Sequence, residues 1–214
     1  MKWDYEFDVV VIGSGNGALT SAICSHDGGA KTLVIEKSTQ FGGTSATSGG
    51  GVWIPNNRYA KAMNVDDSDQ DARDYINSVS PEGKIKDELV ETYLSEGPKM
   101  IDYLHENSQV KYRNLAHYPD YFPDNPGGKA GNRSMEPEPI KGTELGDDLA
   151  KLREQHPQTA FTMGPINMNF TQVEGQLLLG ALPGWKSLFA KLFSKYILDI
   201  PMRLKWGWKD RRLT

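Results

Sequence analysis

Residues 8–37 read DVVVIGSGNGALTSAICSHDGGAKTLVIEK, and this stretch decides the fold class. It opens with an apolar, β-branched run over residues 9–12, which predicts a strand buried on both faces, as in a parallel sheet. A glycine-rich turn follows, then a helix predicted from about Asn16 to His26, then a second strand from Thr32 to Ile35. This order predicts an α/β unit that begins a Rossmann-like, doubly wound domain.

The turn from Gly13 to Ala18 fits the pattern G-x-G-x-x-(G/A) of dinucleotide sites. Gly13 permits the tight turn, Gly15 lets a pyrophosphate approach the backbone, and the small Ala18 lets the helix pack on the strand. The amides and dipole at the start of the helix would face the anion. Glu36, directly after the second strand, is well placed for a ribose hydroxyl. Together these features favour a dinucleotide site over a coincidental loop.

Length, charge and cysteine content exclude several classes of protein. The 214 residues can form one large domain or two small ones, and the net charge of −4 gives no reason to expect nucleic-acid binding. Cys24 is the only cysteine, so an internal disulfide is excluded, and its place in the first helix predicts a small buried residue. No apolar run is long enough for a secretory signal or a membrane span, which predicts a cytoplasmic setting.

The loop over residues 37–51 carries the second signal, because it is dense in glycine and hydroxyl side chains. Such a composition suits backbone amides and hydroxyls that wrap around a polar ligand, and it directly follows the predicted ribose acid. A flexible, solvated linker is the alternative interpretation.

Glu36-Lys37 and the later FGGTSATSGGGVWIP (41–55) resemble the flavoproteins of the fumarate reductase/succinate dehydrogenase group. Within that group the stretch is most similar to 3-ketosteroid Δ1-dehydrogenases. The resemblance implies an α/β, Rossmann-like FAD-binding domain, with Glu36 on the adenosine ribose and the loop lining the pyrophosphate, ribitol and flavin edge. The predicted cofactor-binding residues are Gly13, Ser14, Gly15, Gly17, Ala18, Glu36, Lys37, Gly42, Gly43, Thr44, Ser45, Ser48, Gly49 and Gly50. No histidine lies between His26 and His105, so noncovalent FAD is expected.

The segment over residues 116–139 is dense in proline, glycine and tyrosine, which predicts an irregular loop held by aromatic packing. Its PDYF (119–122) and NRSMEP (132–137) again resemble the ketosteroid dehydrogenases. That resemblance implies that Tyr121 is a catalytic residue beside the steroid A ring, where it assists the base. Phe122 stands where family members often have a second tyrosine, so a hydroxyl at that position is lacking.

Helical patterns dominate the rest of the chain. We predict five helices: from the cap at Ser68 to about Val79, over 87–96, from Pro98 to about Glu106, over 171–182 and over 185–197. A short strand is predicted over 110–113, and a loop with a short helix over 142–153. Residues 155–168 are expected to be irregular. The helix over 185–197 is basic and amphipathic, which favours cover over a core, with a peripheral membrane contact as the alternative.

The two nucleotide-contacting segments lack the further parallel strands of a complete doubly wound sheet. We therefore expect an incomplete FAD-binding domain over 1–110, followed by a helical and irregular substrate-facing portion over 111–214 of an apparently truncated chain. The resemblance places the catalytic base, another tyrosine, beyond Thr214 and outside this chain.

The resemblance implies an FAD-dependent oxidoreductase acting on CH–CH groups, which desaturates a 3-ketosteroid by giving the C1 hydride to flavin N5 and the C2 proton to the base. No second G-x-G-x-x-G appears for a nicotinamide, so an external, quinone-like electron acceptor is expected. The alternatives are a related fumarate-reductase-type or Δ4-steroid flavin oxidoreductase and an inactive nucleotide-binding fragment.

Overall fold

The computed structural model describes residues 3–155 and 170–208. In chain order its strands and α-helices are β1 (Val9–Ile12), α1 (Asn16–Asp27), β2 (Thr32–Ile35), β3 (Val52–Trp53), α2 (Arg58–Ala62), α3 (Asp69–Val79), α4 (Asp87–Asn107), β4 (Tyr112–Asn114), β5 (Ser134–Pro137), α5 (Gln172–Leu179), α6 (Trp185–Leu198) and α7 (Ile200–Trp206). Two 3₁₀ helices span Ser45–Thr47 and Gly142–Lys151. Contacts divide the chain into a nucleotide unit (Met1–Gly50, Ile140–Phe170, Ser187–Thr214) and a pocket unit (Gly51–Pro139, Thr171–Lys186).

The nucleotide unit begins with the predicted α/β element. Strands β1 and β2 pair in parallel, with Val10 opposite Leu33, and α1 connects them. The strand, turn, helix and strand inferred from residues 8–37 are confirmed, with the helix one residue longer than predicted.

Burial in this element is lower than its sequence predicted. Val11 is buried, but Val10 and Ile12 are 51% and 82% exposed, and Cys24 is exposed as well. The predictions of a strand buried on both faces and of a buried cysteine are therefore wrong for the described residues. The reason is that the described part of this sheet has two strands only, so a single connecting helix leaves much of its apolar surface in contact with solvent.

The pocket unit is built on a small antiparallel sheet in the order β3-β5-β4. Met135 of β5 lies opposite both Val52 and Asn114, and it is completely buried in a cluster with Ile54, Ile101 and Tyr112. The sequence predicted only the strand near residue 110, because β3 and β5 are short and lie in segments rich in glycine and proline. Because β5 pairs with β3 before residue 110 and with β4 after it, the residues on both sides of position 110 belong to one compact unit.

Helix α4 runs without interruption from Asp87 to Asn107, with Pro98 inside it. The predicted break at Gly97-Pro98 is wrong. The buried positions of α4 follow the helical period on both sides of the proline: Val90, Leu94, Gly97, Ile101 and Leu104. Burial of this stripe outweighs the roughly 3 kcal/mol that an internal proline costs. Gly97 has a packing role as well, because a Cβ there would lie 3.3 Å from Ile54 Cδ1.

The C-terminal helices agree with the sequence in position. Thr171 caps α5 in a capping box with Glu174, and α5 ends at Leu179, with Gly180 as its C-cap, rather than near residue 182. Helix α6 matches its predicted range to within one residue, whereas α7, with Pro201 in its first turn, was not predicted. The predicted irregular segment over 155–168 lies, apart from its first residue, outside the described residues.

Candidate functional site

The glycine turn and the loop after β2 are brought together in the nucleotide unit. The buried Ser14 hydroxyl donates to Glu36 Oε2 at 2.5 Å and accepts from the Gly42 amide at 2.9 Å. A Cβ on Gly43 would lie 3.6 Å from Gly15 Cα, and the Ser45 hydroxyl accepts the Asn16 amide at 3.0 Å. Segments 22 to 29 residues apart in sequence thus form one cradle around the start of α1.

The start of α1 has the form of an anion site. Gly15 is the N-cap and provides no side-chain cap, and the first turn contains no acidic residue. Gly13 has φ of +94°, a conformation that glycine adopts without strain, while Gly15 has ordinary extended angles. The fold itself does not require glycine at residue 15, because the backbone angles are ordinary and a Cβ would make only an ordinary contact, 3.4 Å from Ser45 Oγ; glycine there leaves room for a ligand to approach the backbone. This arrangement fits the pyrophosphate of a dinucleotide.

Glu36 is held in its ionised form. The hydrogen bond from Ser14 and the backbone amide of Ser38 lower the pKa of this partly exposed carboxyl below its ordinary value. A carboxylate that is ionised at neutral pH accepts hydrogen bonds from ribose hydroxyls. The structure thus places Ser14 as the residue that orients the predicted ribose acid.

Replacement of Ser14 by alanine is expected to raise the pKa of Glu36 toward its ordinary value. The folded-state pKa is depressed, so the carboxylate interactions exist at neutral pH and are lost as the pH falls through that value; in the variant this loss begins at a higher pH. An NMR titration of the Glu36 side-chain carboxyl carbon measures the change. Ser38→Ala is the matched control, because Ser38 donates through its backbone; an unchanged pKa in Ser14→Ala would contradict this assignment.

The remaining predicted cofactor residues lie in the same unit. Gly42 and Gly43 have positive φ, and a Cβ on Gly42 would lie 2.6 Å from Ala46 Cβ, so the loop requires glycine there. Thr44 and Ser48 flank the 3₁₀ turn. Gly17, Ala18, Lys37, Gly49 and Gly50 lie on the helix start or on the loop.

The second candidate site is a cavity of about 420 Å³ in the pocket unit. Its wall is mainly apolar and aromatic, with Trp53, Tyr75, Ile76, Val79, Tyr118 and Tyr121 among the lining residues. The volume lies in the range of roughly 300–1,000 Å³ found for small-molecule sites. The uncharged polar groups of the described lining include three phenols, the Ser134 hydroxyl and the side-chain amide of Gln172.

Tyr121, the predicted catalytic residue, lies on this wall and is 84% exposed. Tyr118 lies beside it, and burial and then the hydrogen bond with Tyr121 raise the pKa of Tyr118. Phe122 is exposed and is not part of the wall. The phenols of Tyr118 and Tyr121 thus line a space suited to an apolar ligand that carries a hydrogen-bonding group such as a carbonyl.

Sequence reasoning missed the charged residues behind the wall. Trp53 donates its indole N–H to Asp120 at 2.7 Å, and Asp120 pairs with the buried Arg133 at 2.9 Å. On the other side, the buried Glu136 accepts the backbone amides of Gln172 and Val173 at the start of α5. These residues lay inside motif stretches, but no spacing rule connects partners that are 13 to 67 residues apart.

Comparison with known proteins places these geometries in a family. The family model described as "FAD binding domain" matches residues 8–186. The 3-oxosteroid 1-dehydrogenase of Mycobacterium tuberculosis is 39% identical over 163 residues, which cover 76% of this chain and 28% of that protein. The 4-oxocyclohexanecarboxylate 2-dehydrogenase of Sinomonas cyclohexanicum is 38% identical over 73% of this chain and 27% of its own length.

A solved structure gives the same result. The crystal structure of 3-ketosteroid Δ1-dehydrogenase from Sterolibacterium denitrificans, in complex with 1,4-androstadiene-3,17-dione, superposes with a TM-score of 0.84 at 38% identity. The match covers 96% of this chain and 35% of that one. The chain thus spans about a third of the length of the relatives described here. The resemblance drawn from FGGTSATSGGGVWIP, the fold class and the cofactor FAD are confirmed.

Proposed function

The chain belongs to the FAD binding domain family, and from this premise we propose that it forms the FAD-binding and substrate-facing part of a flavoenzyme that desaturates ring A of a 3-ketosteroid. The observation that carries this proposal is the apolar, aromatic cavity of about 420 Å³ with Tyr121 on its wall. A dinucleotide cradle alone is shared by many oxidoreductases, so the cavity provides the substrate class.

FAD is held noncovalently in this proposal. The start of α1 with Gly15 would hold the pyrophosphate, and Glu36 would bind the adenosine ribose. Thr44, Ser45 and Ser48 with the neighbouring glycines line the remainder of the cofactor. The loop has no histidine that could bond to the flavin, because none occurs between His26 and His105.

The reaction removes a hydride from C1 and a proton from C2 of the steroid. When bound, FAD supplies the two-electron oxidation. The 3-keto group acidifies the C2 proton, and a phenol is a poor base at neutral pH because its ordinary pKa is near 10. Tyr121 lowers this barrier by donating a hydrogen bond to the oxygen of the base, which stabilises its phenolate form. Tyr118, whose side chain interacts with that of Tyr121, helps to fix the direction of that phenol.

Tyr121→Phe in the FAD-loaded whole enzyme is expected to reduce kcat for 3-ketosteroid desaturation by a factor on the order of 100 or more, with little change in bound FAD. The measurement is steady-state turnover with an artificial acceptor dye, beside the flavin-to-protein ratio. Tyr5→Phe is the matched control, because Tyr5 is an equally exposed tyrosine in the nucleotide unit. Near-normal turnover of Tyr121→Phe would refute its role.

A smaller cyclic ketone is the second candidate substrate, since the Sinomonas relative is named for an oxocyclohexane acid. The aromatic wall favours the steroid, because a four-ring ligand buries more apolar surface there than a single ring does. A panel of 4-androstene-3,17-dione, 4-oxocyclohexanecarboxylate and fumarate, compared by kcat/KM, separates these classes. Preference for either acid would overturn the assignment to steroids. We also propose a quinone-like acceptor, because no second dinucleotide motif occurs in this sequence.

A peripheral membrane contact through α6 is part of the same proposal. No described helix is long and apolar enough to cross a membrane. Leu192 is the buried residue of α6, whereas Phe189, Phe193 and Ile197 are 40–48% exposed and lie among lysines. An apolar face with flanking lysines suits the surface of an anionic bilayer.

The protein is therefore expected to float with phosphatidylserine-containing vesicles in a density gradient and to be released by high salt. Replacing Phe189 and Phe193 together by serine should abolish flotation. Leu89→Ser, which changes an apolar residue of α4 that is 61% exposed, is the control. Equal flotation of all three proteins would remove α6 from the proposal without affecting the assignment of the reaction.

A further inference from the structure

The buried charges at the cavity wall form one connected group, which we call the arginine cluster: Asp67, Asp120 and Arg133 with Trp53, of which Trp53 and Asp120 line the cavity. All three charged side chains are at most 3% exposed. The Arg133 guanidinium donates from Nε and Nη2 to Asp67, the latter at 2.7 Å, and from Nη1 to Asp120 at 2.9 Å. The paired contact with Asp67 fixes the direction of the planar guanidinium, so Nη1 points at Asp120.

The cluster carries one excess negative charge, and neighbouring N–H groups satisfy its carboxylate oxygens. Asp120 accepts from the Trp53 indole at 2.7 Å and from the Lys129 amide at 3.0 Å. Asp67 accepts from the Asn56 and Ser68 amides. Because both oxygens of Asp120 are bonded to these donors and to Arg133, its charge is compensated at the edge of a mainly apolar cavity.

The cluster also connects strand β5 with the loop that contains Tyr118 and Tyr121. Arg133 directly precedes β5, and its carbonyl accepts the Ile54 amide at 2.9 Å, so its backbone is held by the sheet. In sequence, Asp120 lies between the cavity residues Tyr118 and Tyr121, and it directly precedes Tyr121. Its amide donates to the Lys129 carbonyl at 2.9 Å, which closes the loop from 120 to 129.

Two aromatic rings of the cavity wall contact the same guanidinium. Arg133 Cζ lies 5.6 Å from the Trp53 ring centroid and 5.8 Å from that of Tyr75. The Tyr75 hydroxyl in turn accepts the Phe122 amide at 3.3 Å. At one end of the segment from Asp120 to Phe122, the Asp120 side chain is therefore hydrogen-bonded to Arg133 itself. At the other end, the Phe122 amide is hydrogen-bonded to Tyr75, whose ring contacts Arg133.

From this geometry we infer that Asp120, held by Arg133, is the positioning residue that places the Tyr121 phenol at the cavity. Asp120 is itself a lining residue of the cavity, but its carboxylate is occupied by Arg133, Trp53 and Lys129, so it acts through the backbone of Tyr121 and through the indole of Trp53. The expected effect on steroid binding rests on the proposed function, whereas the expected ordering of the backbone over residues 118–122 does not.

The test compares Asp120→Asn with Asp124→Asn in the FAD-loaded protein. Asp124 is an exposed aspartate on the same loop, so its variant is the matched control. Asp120→Asn is expected to weaken binding of 4-androstene-3,17-dione roughly tenfold or more, because a charge-assisted hydrogen bond is lost. FAD affinity, set in the nucleotide unit, should not change. Trp53→Phe, which keeps the ring and the ion pair, is the milder second variant and should weaken steroid binding less.

A double-mutant cycle distinguishes positioning from general structural support. If Asp120 acts through Tyr121, Asp120→Asn should have little further effect on steroid affinity in a Tyr121→Phe background; multiplying effects would overturn the inference. Hydrogen exchange gives a readout that needs no steroid, because amides of residues 118–122 should exchange faster in Asp120→Asn and not in Asp124→Asn. Absence of steroid binding by the unaltered protein would refute the proposed function, and unchanged exchange in Asp120→Asn would refute the positioning role.

Discussion

Arg133→Met is expected to destabilise the pocket unit by about 3–5 kcal/mol, which is the usual cost of removing one partner from a buried ion pair. The guanidinium neutralises Asp67 and Asp120, both almost completely buried, and methionine leaves two carboxylates without a cation. Urea unfolding followed by intrinsic fluorescence measures the change in free energy. Arg58→Met is the matched control, because Arg58 pairs with Asp102 and Glu106, which are 50% and 64% exposed, and such pairs contribute less than about 1 kcal/mol.

The charge explanation can be separated from loss of packing. A triple variant in which Asp67→Asn and Asp120→Asn accompany Arg133→Met removes the unpaired charges while it keeps a side chain of similar length. We expect it to recover part of the lost stability. A triple variant less stable than Arg133→Met, or a single variant as stable as Arg58→Met, would contradict the account of the cluster.

Gly15→Val is expected to lower FAD affinity by a factor on the order of 100, without loss of folding stability. The backbone at residue 15 has φ of −75° and ψ of 176°, angles that valine adopts readily. Its Cβ would meet only the Ser45 hydroxyl at 3.4 Å in the described structure, so the added methyl groups occupy space that the pyrophosphate needs. The effect therefore falls on the ligand and not on the fold.

Equilibrium titration with FAD, read by quenching of flavin fluorescence, measures this loss. Ser21→Val is the matched control, since it adds valine to an exposed position of the same helix. Thermal unfolding of both variants without added FAD should coincide with that of the unaltered protein. Undiminished FAD affinity of Gly15→Val would show that the pyrophosphate does not lie against this turn.

The sequence predicted the features that depend on neighbouring residues. The strand, glycine turn and helix over residues 9–27 follow local rules of periodicity and turn chemistry, so their bounds were correct to within one residue. The cap at Ser68 is equally local, and its hydroxyl accepts the Asp71 amide as expected. The family motif indicated the loop over residues 37–51 and Tyr121 for the same reason, because a motif is recognised from contiguous residues.

Features that depend on distant partners were missed or mispredicted. Pro98 ends a helix by local rules, but the buried stripe of α4 continues past it. Strand β5 contains Glu136 and Pro137, which argue against a strand until its neighbours on both sides are known. Arg133 looked like a loop residue, because nothing in its neighbourhood indicates that its main partner, Asp67, lies 66 positions earlier.

The central claim is that this chain carries the cradle of a noncovalently bound FAD. The most direct measurement is the visible spectrum of the purified protein, followed by acid precipitation and assay of flavin in the supernatant. We predict a yellow protein with near-stoichiometric flavin, all of it released as FAD into the supernatant. A protein that stays colourless after incubation with FAD, or flavin that remains in the precipitate, would contradict the claim.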